Sequence, residues 1–180
     1  MPYFAAALAR TRAGWTGQEL DLDGVDDMLV VMDLMQQVDE SALYTLLFVE
    51  EDDEYLAIAR VDDSDDLRLF VSDSRAGTTS RLGLMLLDGA ESLDGQVYAE
   101  EDLLGELDEP VADGEQEDRE ERNDPDISPA GDPSIVADLG MPAGDLLALC
   151  AHEGTLPADV ITEVCARAGC AEELEELREG

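Results

Sequence analysis

Three apolar runs separated by two clusters of acidic residues constrain this chain more than any other feature. Residues 43–51 (LYTLLFVEE), 54–62 (EYLAIARVD) and 67–72 (LRLFVS) are each of strand length, and carboxylates stand between them at Glu51-Asp52-Asp53 and Asp62-Asp63-Ser64-Asp65-Asp66. Short polar turns between consecutive apolar runs predict antiparallel pairing. The first run is almost wholly apolar, which places it in the middle of a sheet. In the second, Leu56, Ile58 and Arg60 alternate with Tyr55, Ala57, Ala59 and Val61.

Two further strands precede these. Residues 3–10 (YFAAALAR) and 15–21 (WTGQELD) flank Arg12-Ala13-Gly14 and predict a first hairpin. After Gly24, Asp26 or Asp27 caps a helix to about Val38, with Met28, Val31, Met32 and Met35 on one face. Core packing is the plain reading of that methionine stripe, and an adaptable binding groove is the sharper one. A second helix is expected over 80–87 (SRLGLMLL), although Gly83 weakens it. The order strand, strand, helix, three strands, helix predicts an α+β fold, an antiparallel sheet with packed helices. This is the order of longin-like and profilin-like domains, which generally serve as interaction modules. Fold alone does not fix function.

The composition changes beyond this point. Thirteen of the twenty-five residues from Glu100 to Asp124 are acidic. Such a segment repels itself and has little apolar surface to offset the entropy of ordering. Residues 108–130 therefore read as an acidic disordered linker, either a simple tether or an arm that mimics phosphate charge. The expected division is a sheet domain over 1–107, the linker over 108–130 and a C-terminal helical subdomain over 131–180.

In that last part, Asp132 and Pro133 predict a short helix to Leu139-Gly140. PAGDLLALCAHEG (142–154) and PADVITEVCARAG (157–169) repeat with an offset of fifteen, each opening on Pro and closing on Gly. The pair predicts a small helical hairpin, followed by a last helix over Glu172 to Arg178. It is too small to be very stable alone and is expected to dock on the sheet or on a partner.

Few residues offer chemistry. Cys150, His152, Cys165 and Cys170 lack a Cys-x-x-Cys pair, and Cys150 and His152 point to different sides of one helix. The equivalent repeat positions of Cys150 and Cys165 predict buried structural thiols. His152, the only histidine, falls near a helix C-terminus, where the dipole favours it. The acidic turn at 62–66 lacks the central Gly and distant Glu of a calcium loop. No phosphate-binding loop, dinucleotide fingerprint or nucleophile elbow is present. No catalytic, cofactor-binding or metal-ligating residue is assigned. Trp15, the only tryptophan, reads as hairpin packing or as an interface anchor.

Charge narrows the partners. The chain has 46 acidic and 10 basic residues, all ten of them arginine, for a formal net charge of −36. That field repels nucleic acid and anionic membranes and favours a basic partner. A GC-rich genome with acidity serving solubility is the plainer account. With no secretory leader and no membrane-length apolar run, the expected compartment is the cytoplasm.

PYFAAALARTRAGWTGQELDLDGVDD at the start, FVSD at 70–73 and GDPSIVADLGMPAGDLLALCAHEGTLPADV in the tail resemble the actinobacterial family called tRNA adenosine deaminase-associated. The resemblance spans residues 1 to about 90 and 131 to 178, and brings no assigned catalytic residues. Zinc nucleobase deaminases need H-x-E and P-C-x-x-C. Here Glu153 follows His152 directly and no P-C-x-x-C occurs, so the resemblance implies an indirect role. The expected function is a non-catalytic accessory or regulator of a tRNA adenosine deaminase, with Trp15, Glu115, Glu117, Asp118, Glu120 and Glu121 as the expected partner surface. A scaffold for another basic partner, such as a ribosomal or transcription component, is the alternative, and an enzyme with a carboxylate or metal site is a third reading. Oligomeric state stays open.

Overall fold

The computed structural model describes residues 3–51, 53–64, 66–101 and 128–179. Six strands form one antiparallel sheet in the order β2-β1-β3-β4-β5-β6. They are β1 (Tyr3–Arg10), β2 (Trp15–Glu19), β3 (Tyr44–Glu51), β4 (Tyr55–Asp62), β5 (Leu67–Val71) and β6 (Ala130–Gly131). The expected hairpins are formed, and β3 and β4 stand at the centre.

Helices cover both faces, which explains why β1, β3 and β4 read as continuous apolar runs rather than as alternating ones. On the first face, Ala5, Ala7, Leu47, Val49, Tyr55, Ala57, Leu69 and Val71 pack beneath α1 (Met28–Gln36), α2 (Ala76–Thr79) and α3 (Arg81–Glu101). On the second, Ala6, Leu8, Leu46, Phe48, Leu56, Ile58 and Phe70 pack beneath α4 (Ala143–Ala151), α5 (Pro157–Ala168) and α6 (Ala171–Glu179). The C-terminal helices thus dock on the sheet.

Local caps follow the sequence. Asp27 caps α1 by accepting from Leu29 N at 2.9 Å. Within the methionine stripe Val31 and Met35 are fully buried, while Met28 and Met32 are half-buried. Pro157 opens α5, and Gly169 closes it in the left-handed conformation at φ 80°.

Three expectations need correction. The helix over 80–87 is far longer, running to Glu101, and a short α2 precedes it. Gly83 does not break it, because the residue lies where α3 crosses close to α2. The expected linker ends earlier than Ala130. Ser128 accepts a backbone hydrogen bond from Ser74 N at 2.8 Å, and Ala130–Gly131 pairs with β5 as an edge strand. Residues 108–127 of that segment lie outside the described residues. The helix expected from Pro133 is instead a turn followed by one 3-10 turn at Ala137–Leu139. Asp132 accepts from Ser134 N at 2.8 Å, which favours the turn over helical propagation.

One glycine is a place to gain stability. Gly144 is exposed in α4, and a methyl group there would meet nothing within 4 Å. Gly144→Ala is expected to raise stability by about 0.5–1 kcal/mol through helix propensity and a less entropic unfolded chain. A thermal melt checks this, and an unchanged or lower midpoint would refute it.

Candidate partner interface

Among the described residues, six of the eight arginines form ion pairs within the molecule. Arg60 on β4 makes a two-pronged pair with Asp138, Nη1 to Oδ1 at 2.6 Å and Nη2 to Oδ2 at 3.0 Å. Its Nε donates to Asp62 at 3.0 Å, and its Nη1 also donates to the Ile135 carbonyl at 3.1 Å. Arg68 contacts Asp62 and Asp132, and Arg75 holds Asp73. Arg81 pairs with Asp26 at 2.5 Å and Arg178 with Glu50 at 2.7 Å. Arg167 binds both Asp145 and Glu163. Most of these pairs join separate elements, so positive charge is consumed as internal fastening and the outer surface keeps the excess carboxylates. Exposed pairs of this kind add little stability singly. Their consequence here is the surplus of negative field left around them.

Two concavities are lined by several carboxylates. Asp33, Asp39, Glu40, Asp62 and Asp63 line a cleft of about 480 Å³ between the end of α1 and the β3–β4 strands. A groove of about 530 Å³ lies on the first face between the start of α1, β5 and α3. Leu67, Leu69, Met28, Met85 and Leu93 form its apolar interior, and the exposed residues at its mouth are Asp26, Asp27, Arg81, Leu84, Asp88 and Ser92. Gly89 lets α3 approach closely here: a methyl group on it would stand 2.9 Å from Leu69 Cδ1 and 3.1 Å from Met28 Cγ.

Trp15 lies elsewhere. It opens the edge strand β2, half-buried, with its ring edge-on to Tyr44 at 5.7 Å and Arg10 over it at 5.4 Å. It packs with the second-face core, whereas the groove is on the first. Glu115, Glu117, Asp118, Glu120 and Glu121 lie outside the described residues.

The cysteines divide. Cys165 and Cys170 are buried in the second core, and the Cys165 thiol is pushed up by its hydrogen bond with Cys170 and by burial. Cys150, at the matching repeat position, is only half-buried, because α5 presses Val160, Ile161, Val164 and Cys165 into the core while α4 buries only Leu146. It lines a cleft of about 240 Å³ with Asp73, Arg75, His152 and Thr155. Burial pushes its thiol up to about 12, so it is protonated near neutral pH and a poor nucleophile. His152 is exposed, with Nδ1 3.2 Å from Thr155 Oγ1. Among the described residues, no three His, Cys, Asp or Glu side chains are grouped so as to hold a metal ion. No described helix is long and apolar enough to cross a membrane.

The groove was not singled out from the sequence, yet a signal was present. Leu82, Leu84, Met85, Leu86 and Leu87 surround α3, more apolar residues than one face can bury. Leu86 is buried, whereas Leu84 is 46% exposed.

A family model described as Rv3753c-like tRNA adenosine deaminase-associated protein matches residues 3–115 and 84–171. The chain belongs to that family. No curated protein and no solved structure matches it.

Proposed function

We propose that this family member is a non-catalytic accessory or regulatory partner of a tRNA adenosine deaminase, the enzyme class that converts wobble adenosine to inosine. The family description supplies the enzyme. The observation that carries the mode of action is the arrangement of charge, with arginines fastened internally and carboxylates left outside. A surface of this sign complements the basic face with which an enzyme holds tRNA, and repels the tRNA itself. Bound there, the protein tunes substrate access in the cytoplasm without touching nucleic acid or membrane. The acidic residues of segment 108–127 add to the same negative charge.

Salt separates this reading from others. The affinity of the purified cognate deaminase for the full chain is expected to fall at least ~10-fold between about 50 and about 500 mM NaCl, as screening shortens the reach of the field. Inosine formation on tRNA should change when the protein is added at low salt. Over the same range the melting temperature of the free protein should rise, because screening relieves the self-repulsion of a charge of −36. Lost binding would then not be lost folding. Absence of binding at low salt would sink the partnership with the deaminase.

A further inference from the structure

We infer that the groove between α1 and α3 over β5 is the docking site for a cationic protein segment that presents an apolar side chain flanked by Lys or Arg. The inference takes the partner's identity from the accessory reading above, but the site itself is argued from the groove. Its interior is apolar, with Leu69 fully buried and Met28 and Met85 half-buried. Leu84 stands 46% exposed at its mouth, in a helix whose leucines exceed what its own core takes up. An apolar hollow with an exposed leucine beside it is the form of a recognition groove for an anchored segment. Methionines in its wall supply the adaptability that a binding surface uses.

Charge selects the occupant. Asp26, Asp27 and Asp88 are exposed around the opening. Arg81, the one cation among the described residues that line it, is held by Asp26 at 2.5 Å, so its charge is already matched. A second copy of this chain would bring another −36 to a mouth of the same sign. Residues 100–124 of the chain itself, thirteen of them acidic, meet the same repulsion. Phosphate-bearing nucleic acid and anionic lipid are disfavoured for the same reason. A segment with an apolar anchor and flanking cations gains on both counts: the anchor leaves water, and the flanks meet carboxylates.

The test uses the full chain and the cognate deaminase at about 50 mM NaCl, with affinity measured by calorimetry. Leu84→Asp is expected to weaken binding at least ~10-fold, since it puts a desolvated carboxylate against the anchor. Asp88→Lys is expected to weaken it by about 3-fold and to flatten its salt dependence. Both positions are exposed, so the melting temperature of each variant should stay near that of the wild type. A third variant with glutamine at 115, 117, 118, 120 and 121 reports on the acidic segment. If that variant loses binding while Leu84→Asp and Asp88→Lys bind as the wild type does, the groove is overturned and the partnership stands. If the wild type does not bind the deaminase, the accessory reading fails, and the groove is tested with a synthetic amphipathic Leu/Lys helix. Wild type must then bind it at least ~10-fold more tightly than Leu84→Asp, and equal affinities would overturn the groove.

Discussion

Replacing Gly83 with alanine is expected to destabilise the protein by roughly 3 kcal/mol, at the upper end for overpacking a fitted interior. Gly83 is the third residue of α3 and is buried. A methyl group on it would stand 2.2 Å from the Ala76 carbonyl oxygen and 2.8 Å from the Ala76 carbonyl carbon. Both obstacles are backbone, so no side-chain rotation relieves the clash and α2 must move away from α3. The movement has a second cost. Gly83 N donates to Ser80 Oγ at 2.9 Å, and Ser80 Oγ donates to Glu51 Oε2 at 2.6 Å. Tyr55 Oη donates to the same oxygen at 2.7 Å. Glu51 is 2% exposed, and this small network is what satisfies its carboxylate. Loosening Ser80 leaves a buried acid short of a donor. For a chain of this size the loss corresponds to a melting temperature lower by about 6–12 °C. Gly144→Ala, where the added methyl meets nothing, is the matched control. Equal midpoints for Gly83→Ala and wild type would show that α2 yields without cost.

Gly83 also shows what the sequence conceals. Propensity reads a mid-helix glycine as a defect, and the expected helix was accordingly short and weak. The glycine is there because another backbone passes within contact distance, a fact that depends on the tertiary fold. The sheet was far more legible. The continuous apolar runs of β3 and β4 and the acidic turns on either side of β4 stated its strands and their pairing directly. The second helical layer was half legible. The repeat marked α4 and α5, but equal spacing does not imply equal environment, as the unequal burial of Cys150 and Cys165 shows. β6 escaped because two residues carry no periodicity. The groove escaped because α1, β5 and α3 build it only together, and Met28, Leu67, Leu69, Met85 and Leu93 each look like ordinary core in the sequence. Trp15, which composition singles out, is held by Tyr44 and Arg10 on the opposite face.

Arg60→Ala is the second change with a large expected effect, about 3 kcal/mol. Arg60 is 6% exposed in the centre of the sheet, yet it carries a full charge. It is tolerated because every side of the guanidinium is matched: Asp62 at one nitrogen, Asp138 across two, the Ile135 carbonyl, and the Tyr44 ring 4.5 Å beneath it. Ile135 and Asp138 belong to the segment that leads into α4, so this one side chain fastens the second helical layer to β4. Truncation removes the fastener, leaves the Ile135 carbonyl without that donor and opens a void beside Tyr44. Arg60→Met, which refills the void without the charge, should recover part of the loss. Asp138→Asn should cost less, because Asp62 still faces the arginine. Its cost also depends on pH. The hydrogen bond from Arg60 holds the Asp138 carboxyl below the usual carboxylate range. A depressed pKa stabilises the fold above the unfolded value of about 3.9 and is lost as pH falls through the folded one. The gap between wild type and Asp138→Asn should therefore be full near neutrality and close in acid. Amide exchange should show α4, α5 and α6 losing protection first in Arg60→Ala, with the sheet following. The groove lies on the other face, so below its melting temperature Arg60→Ala should bind the basic partner as the wild type does. A loss of stability under about 0.5 kcal/mol would mean the helical layer holds by its apolar contacts alone. A loss of binding without a loss of stability would move the partner surface to the second face.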